Sequence, residues 1–320
     1  MDANQEQNVV NQEQNVTAQE PKELTLEQQL NLKRKEYQKG DFIYKLVSAL
    51  VIIVSLAYSV GLFMGFLANW DVVRVVIGIV LLLGIFFSLF ILPKILKLST
   101  KYKNYSFDYK TLFLKPVIES EFPQAEYKES DKISTKEVSE CSLIKKARSA
   151  VANDCVSGNY GGVDFTRFDM ELSYGKSKKA SDCVLIVCNN RTVLSGEIQL
   201  VGSKFSIGKN AYEKPEKLLP YITGDDGFDK KFKMYVENRE EADKVLNKDM
   251  QKKFSKFSAG GPFAVFFDKK KVYLIIRRRK DSLEAPVYKA AKEATCRKEA
   301  EKEVAIIKKW IDLLNEGIVK

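Results

Sequence analysis

The sequence predicts an α+β protein, with two long apolar helices ahead of one domain in which helices cover a mainly antiparallel sheet. Three observations predict it. Residues 46–70 and 75–93 contain no charged side chain. Stretches between residues 163 and 277 alternate apolar and polar positions in the manner of strands. The C-terminal segment places Val304, Ile307, Ile311 and Leu314 at the three- and four-residue spacing of a helix, too short a repeat for a coiled coil.

Each uncharged run reaches the roughly 18–20 apolar residues that a bilayer-crossing helix needs. A transmembrane hairpin is therefore expected over residues 42–98, with spans near 44–68 and 73–95 and a tip near Asn69 and Trp70. A buried soluble helix is the weaker reading, because two such runs in succession rarely sit in a globular core. The hydrophilic residues ahead of the first run exclude a secretory signal. Lys33, Arg34, Lys35, Lys39 and Lys45 precede the first run, Lys94, Lys97, Lys101 and Lys103 follow the second, and the turn carries Arg74. Cations resist translocation, so both termini are expected in the cytoplasm. Gly61 and Gly65 have the spacing that lets helices approach, either in a homo-oligomer or in packing of one span on the other near Gly78.

Around the hairpin, residues 1–24 are Gln- and Asn-rich and read as a disordered polar tail. Residues 25–41 read as an amphipathic membrane-proximal helix and 99–320 as a cytoplasmic domain. Residues 1–40 hold seven acids and five bases, and residues 41–93 hold two of each. Of the net +10, the part from Lys94 onward therefore carries +12. A basic domain tethered to a membrane points to membrane lipids with anionic headgroups as partners, and the run Arg277, Arg278, Arg279 and Lys280 is a candidate headgroup contact. An unidentified protein partner fits the same surface. Nucleic acid is disfavoured, since no nucleic-acid-binding motif accompanies the charge.

Catalytic chemistry finds little support. The absence of histidine removes His-based nucleophile activation, general bases and zinc sites at once. The five cysteines fit reduced thiols, and Cys183 and Cys188, five apart on a strand, should face opposite sides. Gly158, Gly161 and Gly162 read as a hairpin turn and not a phosphate cradle, because a strand follows them. The alternative to a binding module is a metal-dependent, nuclease-like hydrolase using Asp182 and Glu197, although Gln199 stands where such a site wants Lys. The stretch GDDGFDKKFKMYV, residues 224–236, fits no calcium-loop register, since Gly227 and Lys230, or Phe228, fall where oxygen ligands or glycine belong. It reads as a polar turn before a strand, with Phe228 and Phe232 buried and Asp225 exposed. No metal, no cofactor and no catalytic residue are expected.

Further elements follow from period and punctuation. Helices are expected from Phe107 to Phe122 with a kink at Pro116, over 133–148 with Ser134 or Thr135 as cap, and over 238–257 with the stripe Ala242, Leu246, Met250 and Phe254. Strands are expected at 163–174, 183–188, 192–202 (bulged at Gly196) and 231–236, and a hairpin joins PFAVFFD to KVYLIIR across Lys269 and Lys270.

The order of segments resembles a bacterial membrane-protein family of unknown function, sometimes automatically labelled galanin-like. The residues that carry the resemblance are Tyr109, Lys110, Phe113, Val117 and Ile118; Gly158 before an alternating strand; Phe228, Asp229 and Phe232 in FDKKFKMY; Ala242 and Leu246; VYLII in the last hairpin; and LEAPVY, residues 283–288. The family's middle-strand Phe-x-Gly-x-Phe is replaced here by CVLIVCNNRTVLSG. The resemblance implies two spans followed by one cytoplasmic domain at the inner membrane, with Gly158, Phe228, Asp229 and Phe232 in structural roles. It carries no catalytic residues.

Overall fold

The computed structural model describes residues 24–63, 71–129, 141–144, 149–173, 180–189, 194–206, 215–279 and 283–317. Asn69, Trp70, Gly65, Lys280 and most of the helix expected over 133–148 lie outside them; of that helix the described part is a single 3-10 turn, Ser142–Ile144.

Helix α1 (Leu26–Phe63) runs unbroken for 38 residues, about 57 Å at the usual helical rise. The second arm is built from α2 (Asp71–Phe86), α3 (Leu92–Ile95), α4 (Leu98–Tyr109) and α5 (Lys115–Glu121). Wide π turns at Phe87–Ile91 and Lys110–Leu114 join α2 to α3 and α4 to α5. Each wide turn stands just ahead of a proline, Pro93 or Pro116. Proline has no N–H for the carbonyl four residues back, and its ring crowds that carbonyl. The ladder widens instead, so that Leu92 N–H bonds the Phe87 carbonyl and Lys115 N–H bonds the Lys110 carbonyl. Pro116 is thereby absorbed without ending the helix. The helical backbone is interrupted at Lys97, whose φ of 51° separates α3 from α4.

Taken as continuous helical runs, residues 26–62 and 72–121 are each long and apolar enough to cross a membrane, and the most apolar 18 residues of each are 0% and 6% buried. The arms touch at Gly84, whose added Cβ would meet Val51 at 3.7 Å, whereas a Cβ added at Gly78 would meet nothing within 4 Å. The expected glycine contact is thus displaced by six residues to the glycine that faces α1. Closer still is the approach of α1 to α4, where a Cβ on Gly40 would fall 2.8 Å from Leu98.

The domain contains a nine-stranded antiparallel sheet in the order β1-β2-β3-β4-β9-β8-β5-β7-β6. Its strands are β1 (Glu126–Lys128), β2 (Ser149–Tyr160), β3 (Val163–Ser173), β4 (Ala180–Asn189), β5 (Ile198–Gly202), β6 (Leu219–Tyr221), β7 (Phe232–Val236), β8 (Phe263–Phe267) and β9 (Lys271–Arg277). Three-residue strands occupy both edges, which limits edge pairing with other chains. The β8–β9 hairpin runs through the middle, and every residue of β8 is buried. Gly161 (φ 56°) and Gly162 (φ 75°) form the two-residue turn between β2 and β3, a tight hairpin that needs positive φ at both positions.

One face of the sheet packs under α4, α5 and the C-terminal α9 (Glu293–Gly317) in a large apolar cluster. Trp310 lies in this cluster, with its ring 6.2 Å from Phe254 and 5.7 Å from Phe257. The other face carries a second cluster around Met170, Leu185, Phe266 and Ile275. Cys188 belongs to the first cluster and Cys183 to the second, as their spacing requires.

Three local expectations change. The turn at residues 224–231 is a short helix, α6 (Asp226–Lys231), because the Asp225 carboxylate accepts from the N–H groups of Gly227 and Phe228 and caps it. Residues 239–256 form two helices, α7 (Arg239–Val245) and α8 (Lys248–Lys256), since Asn247 caps a new start; Ala242, Leu246, Met250 and Phe254 are still all buried. Residues 195–196 bend before β5 with no bulge in the strand: the Glu241 carboxylate accepts from Ser195 N–H at 2.6 Å and Gly196 N–H at 2.7 Å.

Candidate functional site

The side chains most suggestive of function gather where the polar half of α1, α4 and residues 283–292 meet. This last segment is a strap linking the end of β9 to α9, and its backbone is held by side chains of the helices it crosses. Asn31 receives the Ala291 N–H at 3.1 Å and donates to the Ala291 carbonyl at 3.0 Å. Gln38 donates to the Val287 carbonyl at 2.7 Å, and Tyr105 donates to the Pro286 carbonyl at 2.7 Å. At the far end, the Lys45 ammonium lies 2.6 Å from the Tyr288 hydroxyl and 2.7 Å from Asp41, to which Tyr288 donates at 3.2 Å. Within the strap Leu283, Ala285 and Ala291 are buried, while Tyr288 is 70% exposed.

Beside the strap opens a cleft of about 460 Å³ lined by Tyr102, Lys103, Phe107, Lys110, Glu129 and Glu284 among others. Its floor is the buried ammonium of Lys110, 3.0 Å from Asp154 and 3.7 Å from Glu284. Tyr127 donates to the second oxygen of Asp154, and Tyr102 donates to Glu284. Burial works against the charge on Lys110, yet Asp154 and Glu284 outweigh it and hold the lysine above its ordinary range. Burial pushes the Asp154 carboxyl upward, with Lys110 and Tyr127 pulling it part of the way back. Glu129 is also raised, chiefly by burial. A lysine held in this way stays an ammonium, suited to pairing and not to general-base work.

A second buried network ties α9 to the sheet. Arg167, 1% exposed, meets Asp169 at 2.7 Å and Glu303 at 3.3 Å, and Glu303 also takes Arg278 at 2.8 Å. Arg278 is therefore committed to the fold, while its neighbours Arg277 and Arg279 are exposed and Arg277 donates to Ser206 at 2.9 Å.

The acids of the hydrolase alternative do not converge. Asp182 lies at the end of β4 near Arg278, to whose N–H its carbonyl accepts at 2.9 Å. Glu197 precedes β5, and β9 and β8 stand between β4 and β5. In register, Ile198 faces Phe267, Phe267 faces Val272, and Val272 faces Cys188, so Glu197 is level with the opposite end of β4. Three interstrand steps and some seven residues along the strands put the two carboxylates roughly 25 Å apart. Metal ligands must lie within about 2.6 Å of one ion. Glu197 instead pairs with Lys217, and among the described residues no cluster of three metal-ligating side chains occurs. All five cysteines are buried, and burial pushes the thiols of Cys141, Cys183 and Cys188 up to about 12, which leaves little thiolate.

Of the resemblance positions, Phe228 and Phe232 are buried with rings 5.0 Å apart, and Asp225 is exposed. Asp229 holds the preceding turn, accepting from Thr223 N–H and Gly224 N–H at 3.2 Å each. Gly158 sits in β2, where an added Cβ would fall 3.1 Å from the Ala125 Cβ. The strap and the Lys110 cluster went unassigned in the sequence. Tyr109, Lys110 and LEAPVY stand among the resemblance positions, but nothing in their spacing shows that residues 110, 154 and 284 meet.

Comparison with known proteins adds a family of unknown function. Residues 174–316 match the family described as "Protein of unknown function (DUF3137)". That stretch takes in the strap and α9 but neither long apolar helix. No curated protein matches the chain. Among solved structures, the mycobacterial trehalose monomycolate transport factor A, TtfA, is similar over 63% of this chain and 93% of its own, at 12% identity and a TM-score of 0.40, too distant to carry an argument.

Proposed function

We propose that the chain is a two-span protein of the bacterial inner membrane, with both termini and the sheet domain in the cytoplasm, and that the domain is a binding module for a protein or lipid partner. The carrying observation is α1 itself. One uninterrupted helix is apolar and exposed over its second half and locked by the strap to the sheet domain over its first. Such a joint fixes the domain's position relative to the hairpin more firmly than a flexible linker would. The match to a family of unknown function is compatible with this reading and adds no activity to it. Within it, the lysines flanking the apolar runs support the orientation, and the cleft over Lys110 is the natural seat for a partner's polar group.

The test is extraction and topology. The full chain should stay with membranes washed in alkaline carbonate, and reporters fused to either end should both read as cytoplasmic. Release by carbonate, or a periplasmic C-terminus, would overturn the reading. Cross-linking in intact membranes would then identify the partner.

A further inference from the structure

The cations in the region of Gly40 form a patch that the Arg277 run does not belong to. Gly40 and Leu98 bring α1 and α4 together where the two apolar arms end. In residues 39–48 and 94–103 stand Lys39, Lys45, Lys94, Lys97, Lys101 and Lys103, against the single acid Asp41. Asp41 is 9% exposed and already taken by Lys45 and Tyr288. Lys39, Lys45, Lys94, Lys97 and Lys103 are exposed, and Lys101 is half-buried. The left-handed conformation of Lys97 separates α3 from α4 within this patch. Immediately beyond it lie exposed apolar side chains, Phe42, Leu46 and Leu50 on one arm and Phe90, Ile91 and Ile95 on the other. Next to Lys45 the exposed ring of Tyr288 offers an apolar body with a polar tip, the kind of side chain that favours a membrane–water boundary.

By contrast, Arg278 joins the network around Arg167, which shares a small cavity with Leu114 and Ile118. Leu114 is sixteen residues beyond Leu98, roughly 24 Å along the helical path.

We infer that this lysine collar, together with Tyr288, is a docking surface for the phosphate headgroups of anionic phospholipids. The inference rests on the two-span reading and sharpens it by moving the lipid contact from the Arg277 run to the collar. Anionic lipid held there also bears on the strap, because Lys45 serves both the strap and the surface. A headgroup phosphate competes with Asp41 for the Lys45 ammonium, and the lipid composition thereby sets how tightly Tyr288 and the strap are held.

The experiment reconstitutes the full chain in nanodiscs of phosphatidylcholine with a minor share of phosphatidylglycerol and measures lipid enrichment around the protein by native mass spectrometry. The wild type should enrich phosphatidylglycerol, less so as salt rises. Replacing Lys94 and Lys97 by Gln should lower the affinity by roughly fivefold per lysine, equivalent to about 1 kcal/mol each. Arg277→Gln with Arg279→Gln should leave it unchanged. Absence of enrichment in the wild type, or enrichment lost with the arginine changes and kept in the lysine variant, overturns the collar. Failure of the chain to enter nanodiscs at all would instead overturn the two-span reading. Tyr288→Ala reports on the strap arm: phosphatidylglycerol should speed hydrogen exchange in residues 283–292 of the wild type and have no such effect in this variant, and an unchanged rate in the wild type overturns that arm.

Discussion

The two halves of α1 have the same backbone and opposite surroundings. Residues 26–45 bury Leu30 to 1% and spend Asn31, Arg34 and Gln38 on the strap, whereas residues beyond 46 leave Leu46, Leu50 and Leu56 at least half exposed. The first half is held by protein. The second is apolar and exposed. A helix can thus be stable throughout while only part of it belongs to the domain core, and substitution should affect the two parts very differently.

The largest effect should fall on the buried charge pair of the domain that the first half docks to. Asp154→Ala leaves the Lys110 ammonium without its closest partner and should cost about 3–5 kcal/mol of domain stability, read as a lowered thermal midpoint in detergent. A loss below 1 kcal/mol would mean that water reaches the pair through the cleft. Next, Leu30→Ala removes a side chain buried in the same apolar cluster as Tyr105 and Tyr109 and should cost about 2–5 kcal/mol. Asn31→Ala deletes both hydrogen bonds to Ala291 and should cost on the order of 1–3 kcal/mol, with faster hydrogen exchange in the strap as its specific signature.

A smaller effect depends on pH. Because the native Lys110 is raised above the ordinary 10.5, its ion pair contributes in full below that value and fades as pH rises through the native one. The stability gap between wild type and Lys110→Met should therefore be constant from pH 7 to 9 and narrow above about pH 10.5; a gap that widened there would reverse the sign of the argument. Smallest of all, Leu50→Ala on the exposed half should shift the domain's melting by no more than about 0.5 kcal/mol. If Leu50 proved as costly as Leu30, the two halves would not be distinct environments.

Much of the frame was legible in the residues. Unbroken apolar runs, the β8–β9 hairpin, the Gly161–Gly162 turn and the stripe of α9 each declare themselves within one local window, where period decides. The long strand β2 did not, since SAVANDCVSGNY mixes small and polar residues and takes its place from pairing with β3. The candidate site was the least legible part. Lys110, Asp154 and Glu284 lie on a helix, a strand and a strap, and the sheet order that brings them together places β4 beside β9, a pairing between distant segments that no local pattern encodes. Arg278 shows the same limit from the other side: the run RRRK looks uniform in sequence, and contacts with Glu303 and the Gly260 carbonyl draw one of its members into the fold.

The wide turns before Pro93 and Pro116 have a consequence for indels. Adding one residue to a helix re-aims everything after it by about 100°, and each wide turn is such an addition, accommodated in place. The second arm has taken two of them, so the stripe that meets α1 at Gly84 and the stripe that buries Tyr105, Tyr109 and later Val117 belong to three separately phased screws. Deleting a single residue within 87–91 should turn α3 and α4 together relative to α1 and pull Tyr105 away from Pro286, whereas the same deletion within 110–114 should leave that contact intact and misalign α5 alone.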